Sequence, residues 1–267
     1  MSEWLQMTIL AVVQGLTEFL PVSSSGHLVL AKEALGFRAL SGLGVELLLH
    51  GGTLLAVLIY YRRLIGNLAK GLWQREAGAW RFLAAIIASM VPACALGLLF
   101  EAELEALTEH PLFVCCALMV TGLLLLSTRC FGRDLGRDVT LPVGVAMGLA
   151  QAVAMLPGVS RSGSTLAISR FFGIDCQKAA AFSFLMVVPI IIAGNGLHLL
   201  KALSNADEGA FAGLTWQTGL IGFSVAAIIG YASVAWMVRL LNRRHFWLFG
   251  FYCLAIGSLG TAYLLLC

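Results

Sequence analysis

The chain has 267 residues, of which 60% are hydrophobic and only 12% are charged, and its mean hydropathy is +0.91. A soluble domain carries about 25% charged residues, so this chain has too little charge to cover a water-facing surface. The composition, with a net charge of only +3, argues against a soluble globular protein, a disordered chain and a nucleic-acid-binding protein. It predicts an all-α, polytopic membrane protein that forms one integral membrane domain over residues 1–267.

The apolar segments predict about six membrane spans and two interrupted hairpins. A first interrupted stretch covers residues 4–35 and breaks at the sequence PVSSSGH, and a second covers 141–172 and breaks at PGVSRSGST. Three spans are predicted after each hairpin, at 45–61, 82–100 and 112–128 in the first half and at 179–200, 214–240 and 246–266 in the second. Irregular backbone at membrane depth requires surrounding protein or a water-filled cavity, so both breaks are candidate sites.

The charged residues of the loops alternate along the chain. Eleven of the 17 basic residues lie in three alternate loops, and the loops between them are acidic or mixed. By the positive-inside rule the three basic loops are cytoplasmic. Each interrupted stretch then begins and ends on one side of the membrane, the first outside and the second inside, which predicts two re-entrant hairpins.

The two halves of the chain resemble each other. A shift of 137 residues places Gln14 on Gln151 and aligns the two interrupted motifs from Val22–Gly26 onto 159–163 with matches at four of five positions. Residues 1–137 and 138–267 are therefore predicted to be inverted repeats, because each hairpin is followed by an odd number of spans. Inverted repeats with broken helices place a binding site near the midplane. Chance similarity between turns rich in serine and glycine is the alternative.

The first break carries a carboxylate, hydroxyls and an imidazole. Gln14 and Glu18 share one helical face, and a carboxylate at this depth needs a polar cavity with a cation or hydrogen-bond donor as partner. Pro21 ends the helix, Ser23 or Ser24 can cap the next one, and His27 follows within its first turn. Glu18 either serves the site or only pairs within the bundle.

The second break adds Arg161, whose guanidinium suits phosphate and can also neutralise Glu18. The N-termini of both returning helices are expected to converge, which favours binding of a highly charged anion. Serine beside histidine permits nucleophilic catalysis, and phosphate chemistry fits better than acyl transfer because no acidic residue is placed to orient His27.

Outside the breaks, Glu46 and His50 either line the mouth of a cavity or form a buried pair.

The motifs QGLTEFLPVSSSGHL at 14–28 and PGVSRSGST at 157–165 closely resemble the two signature regions of the bacterial undecaprenyl-diphosphate phosphatases, also called bacitracin-resistance proteins. The resemblance extends over nearly the whole chain. It implies a hydrolase of the bacterial cytoplasmic membrane that releases the terminal phosphate of undecaprenyl diphosphate, recycles the carrier lipid for peptidoglycan synthesis and opens to the periplasm. It also implies a divalent cation, Mg²⁺ or Ca²⁺, bound by Glu18, and a possible homodimer in the lipid bilayer.

The resemblance implies that Glu18, Ser24, His27 and Arg161 are the catalytic residues. Eight neighbouring motif residues are predicted to contact the polyprenyl diphosphate substrate: Gln14, Ser23, Ser25, Gly26, Ser160, Ser162, Gly163 and Thr165. As a mechanism, Ser24 attacks the terminal phosphorus with His27 as its base. In rival schemes His27 is the nucleophile or activates water. The alternative function is a transporter that moves the polyprenyl phosphate across the bilayer, since inverted repeats are also found in transporters.

Overall fold

A computed structural model describes residues 2–37, 43–203, 214–242 and 245–266. Within these ranges the chain folds into helices without a β-strand, which confirms the all-α prediction. The helices are α1 (Glu3–Thr17), α2 (Ser24–Leu35), α3 (Leu43–Tyr60), α4 (Arg62–Trp73), α5 (Ala77–Leu99), α6 (Glu101–Thr108), α7 (Pro111–Phe131), α8 (Leu141–Val153), α9 (Arg161–Phe171), α10 (Cys176–Leu185), α11 (Val188–Leu203), α12 (Trp216–Asn242) and α13 (Phe249–Leu266).

Five helical segments of the described ranges are long and apolar enough to cross a membrane: Ala77–Leu99, Pro111–Phe131, Cys176–Gly196, Trp216–Asn242 and Phe246–Leu266. A sixth candidate is α3 together with α4, although these two helices are bent by 70° at Tyr61. The chain is therefore a multi-pass membrane protein, as its composition predicted.

Each predicted hairpin consists of two short helices. The pairs α1–α2 and α8–α9 have 11 to 15 residues per helix, whereas a single helix needs about 20 to span the bilayer. The breaks, 18–23 and 154–160, fall on the polar motifs. This is the geometry expected of re-entrant hairpins, and the inverted orientation of the two repeats stays a prediction.

Three local features differ from the expected pattern. The first basic loop forms the helix α4, which carries Arg62, Arg63 and Lys70, and an acidic loop forms the helix α6. The span expected at 179–200 consists of α10 and α11, separated by Met186 and Val187, because Pro189 has no N–H to donate into the preceding turn. The third basic loop includes Arg243 and Arg244, which lie outside the described residues.

Each hairpin packs against a span of the other half of the chain. Helix α1 packs on α12 and α8 packs on α5, while α7 packs on α13. Small residues allow these close approaches: a Cβ added to Gly15 would lie 3.0 Å from the backbone nitrogen of Gly230, and one added to Gly148 would meet the backbone of Ser89. The two halves therefore share one core, and the two breaks face each other inside it.

Candidate active site

Each returning helix starts with the same serine cap, and a hydrogen bond between the two breaks holds them together. The Ser23 hydroxyl accepts a hydrogen bond of 3.3 Å from the Gly26 N–H, and the Ser160 hydroxyl accepts one of 3.1 Å from the Gly163 N–H. The Ser162 hydroxyl then donates to the carbonyl oxygen of Leu20 at 3.0 Å, which ties the second break to the first. The N-termini of α2 and α9 are thereby held side by side, as the sequence predicted.

The turns approach closely, with a glycine in each at the point of approach. A Cβ added to Gly26 would lie 3.1 Å from the Cα of Gly158. Gly158 itself has a φ of +94° and packs against the carbonyl oxygen of Val114, which leaves no room for a side chain. The backbones of the two turns can therefore reach a common site.

The carboxylate of Glu18 is the centre of this site and is 8% exposed. Arg161 donates from Nη2 to Oε1 at 2.6 Å, and the Ser24 hydroxyl donates to Oε2 at 2.6 Å. The side-chain amide of Gln14 donates to the same Oε2 at 3.0 Å. The predicted pairing of Glu18 with Arg161 is confirmed, and Ser24 joins the pair.

A cavity of about 230 Å³ opens over this cluster. Its lining includes eight polar residues: Glu18, Ser23, Ser24, Ser25, His50, Ser160, Arg161 and Ser162. Five apolar residues, called the apolar wall below, also line it: Ala154, Met155, Val159, Val187 and Ile191. The cavity therefore combines anion-binding groups with apolar surface, which suits an amphipathic ligand with a charged head and a lipid tail.

Four of the predicted substrate contacts lie behind the cavity wall: Gln14, Gly26, Gly163 and Thr165 do not line the cavity. Gln14 orients Glu18, and the two glycines supply N–H groups to the serine caps. Their placement assigns them to the support of the site, so the geometry does not favour the direct substrate contact that was expected.

Thr165, which was expected to contact substrate, supports the site through its hydroxyl. Thr165 is fully buried, and its hydroxyl lies 2.6 Å from the hydroxyl of Ser183 on α10. The carbonyl oxygen of Ser183 in turn accepts from Arg161 Nη1 at 3.3 Å. Ser183 therefore holds the second hairpin and Arg161 together. Its sequence position, equivalent to Glu46 in the repeat, was the only available signal.

His27 does not reach Ser24 in this structure, so the expected contact between base and nucleophile is not formed. His27 Nδ1 lies 2.8 Å from the carbonyl oxygen of Ser23, and Nε2 lies 2.8 Å from the hydroxyl of Tyr252 on α13. The two rings are stacked at 5.6 Å with an interplanar angle of 6°. Both ring nitrogens are occupied, and His27 is not among the residues that line the cavity.

The imidazole that lines the cavity belongs to His50 on α3. Its Nε2 lies 3.9 Å from Glu18 Oε2, and its Nδ1 lies 2.9 Å from the carbonyl oxygen of Glu46. Of the two alternatives for Glu46 and His50, the structure favours the cavity mouth, because the Glu46 carboxylate pairs with Lys32 at 3.0 Å and not with His50. The i, i+4 spacing on a span was the signal, but it did not show where α3 would pack.

An outer cavity of about 540 Å³ adjoins the inner one and shares Ser25 and His50 with it. Its wall includes Lys32 and Glu33 of α2 and Glu105 and Glu109 of α6. The site therefore opens on the side of the membrane that carries the acidic helix α6.

The repeat places two different side chains at equivalent positions. Ser24 and Arg161 are 137 residues apart, each is the first residue of its helix, and both donate hydrogen bonds to Glu18. The position equivalent to Glu18 is Met155, on the apolar wall. The first hairpin thus contributes polar residues to the cavity, whereas the second contributes polar residues, among them Arg161, together with the apolar Met155.

The described residues contain no group of three or more histidine, cysteine, aspartate or glutamate side chains that could hold a metal ion. They fit a cation that is shared with a substrate, since Mg²⁺ is often bound through one or two carboxylates plus substrate phosphates. Glu18 accepts three hydrogen bonds, and a carboxylate offers about four lone-pair sites. One position on Oε1 is therefore left for a cation.

Comparison with known proteins gives one family over nearly the whole chain. Residues 7–259 match the family model described as bacitracin resistance protein BacA. The chain is 40% identical to the undecaprenyl-diphosphatase of Christiangramia forsetii, over 93% of this chain and 94% of the relative. It is 38% identical to that of Rubrobacter xylanophilus over the full length of both and 36% identical to that of Hahella chejuensis over 96% of each. Because the motifs, the helical fold and these matches agree, we conclude that the chain belongs to the bacitracin resistance protein BacA family.

Proposed function

We propose that the protein hydrolyses undecaprenyl diphosphate to undecaprenyl phosphate and inorganic phosphate. The observation that carries this proposal is the convergence of Arg161, Ser24 and two helix N-termini on one cavity that is also lined by apolar residues. The relatives with 36 to 40% identity are named undecaprenyl-diphosphatases. These names do not favour the alternative of a transporter of the polyprenyl phosphate.

Binding of the diphosphate uses charges that are already in place. The guanidinium of Arg161 and the N-terminal N–H groups of α2 and α9 stabilise negative charge on the phosphates. These groups are fixed before substrate arrives, so they stabilise the charge that develops in phosphoryl transfer without further reorganisation. The apolar wall accommodates the first part of the prenyl chain.

The hydrogen bond from Ser24 to Glu18 favours a serine nucleophile with a carboxylate base. The Ser24 oxygen attacks the terminal phosphorus while its proton passes to Glu18. The bond from that phosphorus to the bridging oxygen breaks, and its electron pair leaves with undecaprenyl phosphate. Water then attacks the phosphorus of the phosphoserine, and the bond from that phosphorus to the Ser24 oxygen breaks. Glu18 returns its proton to the Ser24 oxygen, and the phosphate leaves with both protons of the water as dihydrogen phosphate.

Direct attack by water remains the rival scheme, in which Glu18 accepts a proton from a water molecule and Ser24 only binds the phosphate. The scheme with His27 as base or nucleophile requires its ring to leave Tyr252 and turn toward the cavity. The geometry therefore favours Glu18 over His27 as the acceptor of the proton.

Of the residues at the site, Glu18 would hold the divalent cation of this proposal, Mg²⁺ or Ca²⁺, together with the bound substrate. When bound, such a cation neutralises phosphate charge and stabilises the leaving group. Its role is separable from that of Arg161, whose charge does not depend on added metal.

The proposed location is the bacterial cytoplasmic membrane with the site open to the periplasm. The outer cavity opens beside the acidic α6, whereas α4, on the loop of opposite sign, carries Arg62, Arg63 and Lys70. By the positive-inside rule the side with α4 is cytoplasmic. A homodimer, implied by the resemblance alone, is a further proposal that native mass spectrometry in detergent would test.

The experiment is phosphate release by the purified protein in detergent, with undecaprenyl diphosphate as substrate, in the presence of Mg²⁺ or of a chelator. We expect release that the chelator abolishes. Absence of release from a folded protein, together with movement of polyprenyl phosphate across liposomes, would contradict the proposal and establish the transporter.

A further inference from the structure

We infer that His50 is a substrate-binding residue whose Nε2 contacts the terminal phosphate of the bound diphosphate. This inference rests on the proposed function and concerns a side chain outside both sequence motifs. It follows from how the ring of His50 is held, from what its second nitrogen faces, and from its place between the two cavities.

The ring orientation is fixed from the α3 side. His50 Nδ1 lies 2.9 Å from the carbonyl oxygen of Glu46, one helical turn earlier. A carbonyl oxygen can only accept a hydrogen bond, so Nδ1 carries the hydrogen of this contact. Nε2 therefore donates to a phosphate oxygen in the imidazolium form of the ring, in which both nitrogens carry a hydrogen. A histidine held through one nitrogen presents the other in a defined direction, and here Nε2 is directed at the inner cavity.

His50 Nε2 has no hydrogen-bond partner among the described residues. Its nearest charged neighbour is Glu18 Oε2 at 3.9 Å, which is longer than a hydrogen bond. The side chain is 33% exposed, whereas those of Glu18 and Arg161 are 7% and 13% exposed. A polar atom that faces a cavity beside the anion-binding groups is thus left available for a ligand.

The location of His50 selects the terminal phosphate as the group it meets. We assign the prenyl chain to the apolar wall that includes Met155 and Val187. His50 also lines the outer cavity, whose lining is mixed and includes Lys32 as well as Phe37, and through which the released phosphate can leave. The phosphate farthest from the lipid chain, which must leave as inorganic phosphate, therefore lies on the His50 side.

The test compares three substitutions of His50 with farnesyl diphosphate as a detergent-soluble substrate at saturating Mg²⁺. In His50→Gln the side-chain amide lies near the position of Nε2, and in His50→Asn it lies near that of Nδ1 and can still reach the Glu46 carbonyl. We expect His50→Ala and His50→Asn to raise KM about tenfold, the effect of one lost hydrogen bond to a charged group. The value of kcat should change less, because the contact is made before the transition state.

In His50→Gln we expect KM to return to within about threefold of wild type, since its amide nitrogen can still donate to phosphate. The inhibition constant of inorganic phosphate should rise with KM in the alanine and asparagine variants. All variants should keep the thermal midpoint of the wild type in detergent, apart from a small loss in His50→Ala.

An unchanged KM in His50→Ala would overturn the inference. Rescue by asparagine and not by glutamine would also overturn it, because that pattern assigns His50 only to the Glu46 carbonyl. A higher Mg²⁺ requirement with an unchanged KM would make His50 a metal ligand instead. These outcomes differ from failure of the proposed function, in which wild type itself releases no phosphate.

Discussion

Arg161 and Glu18 are separated by 143 residues in the chain, yet their side chains form a buried ion pair of 2.6 Å between Nη2 and Oε1. Each belongs to the break of a different hairpin. An isolated charge at this depth would raise the free energy of the folded protein in the membrane. The ion pair lowers this cost for both residues. The pair joins the two halves of the chain at the point where the substrate is expected to bind.

Replacement of Arg161 by alanine should lower kcat about 10²- to 10³-fold, as expected for the loss of one preorganised charge-stabilising donor. It should also lower the free energy of unfolding by about 3–5 kcal/mol, because Glu18 is left as an uncompensated buried charge. Phosphate release and thermal unfolding in detergent measure the two effects.

The double variant with Arg161→Ala and Glu18→Gln should recover part of the stability but no activity. Arg129→Ala is the matched control, because Arg129 is exposed and its guanidinium stacks 4.6 Å from the centre of the Trp247 ring, away from the cavity. Ordinary turnover by Arg161→Ala would contradict the role given to Arg161.

Ser24→Ala should abolish turnover if Ser24 is the nucleophile. The other side chains that donate hydrogen bonds to Glu18, Gln14 and Arg161, have no hydroxyl that could form the covalent intermediate. Rapid quenching of wild type with substrate labelled in the terminal phosphate should yield an acid-stable phosphoserine that maps to Ser24. The control is Ser89→Ala, since Ser89 is buried outside the cavity and bonds only to the Ile86 carbonyl. Label on His27, or no adduct in an active enzyme, would contradict the serine mechanism.

His27 should respond to substitution as a positioning residue. His27→Asn can keep the hydrogen bond to the Ser23 carbonyl and should retain more activity than His27→Ala. Tyr252→Phe removes one hydrogen bond and should cost about 0.5–1.5 kcal/mol of unfolding free energy, with less than tenfold loss of kcat. If the asparagine variant is folded and as inactive as the alanine variant, His27 takes part in the chemistry.

The hydroxyls of Thr165 and Ser183 should be coupled in stability. Thr165→Val leaves a buried hydroxyl without its partner and should cost about 1–3 kcal/mol. Ser183→Ala should behave similarly, and the double variant should cost less than the sum, with a coupling energy of about 0.5–3 kcal/mol. Thermal unfolding of the four proteins completes the cycle, and strict additivity would show that the 2.6 Å contact carries no energy.

The fold and the position of the breaks could be predicted because they depend on local properties. Long apolar runs, Pro21 and Pro157 at the breaks, and serine caps before Gly26 and Gly163 act within a few residues of themselves. The helix α4 was not predicted, because its basic residues led us to interpret this segment as a loop between spans. The break before Val188 was missed because the signal for it, Pro189, lies inside an otherwise apolar run that predicted a continuous span.

The site could be predicted only in part, for a reason that lies in packing. Glu18 and Arg161 were found from the sequence because charges at membrane depth need partners, and Ser24 was singled out by the resemblance of its motif to the family. The sequence did not predict that His50, and not His27, lines the cavity. It also did not predict the contacts of Ser183 and Tyr252. Each depends on which face a distant helix turns toward the hairpins.

The sequence by itself thus determined that the chain crosses a membrane, that two breaks carry the polar chemistry, and which family it resembles. Only the tertiary structure decided which polar atoms face the cavity and which hold its wall. Spacing along a helix fixes which residues share a face, but the packing of that face against another part of the chain is a property of all the helices together.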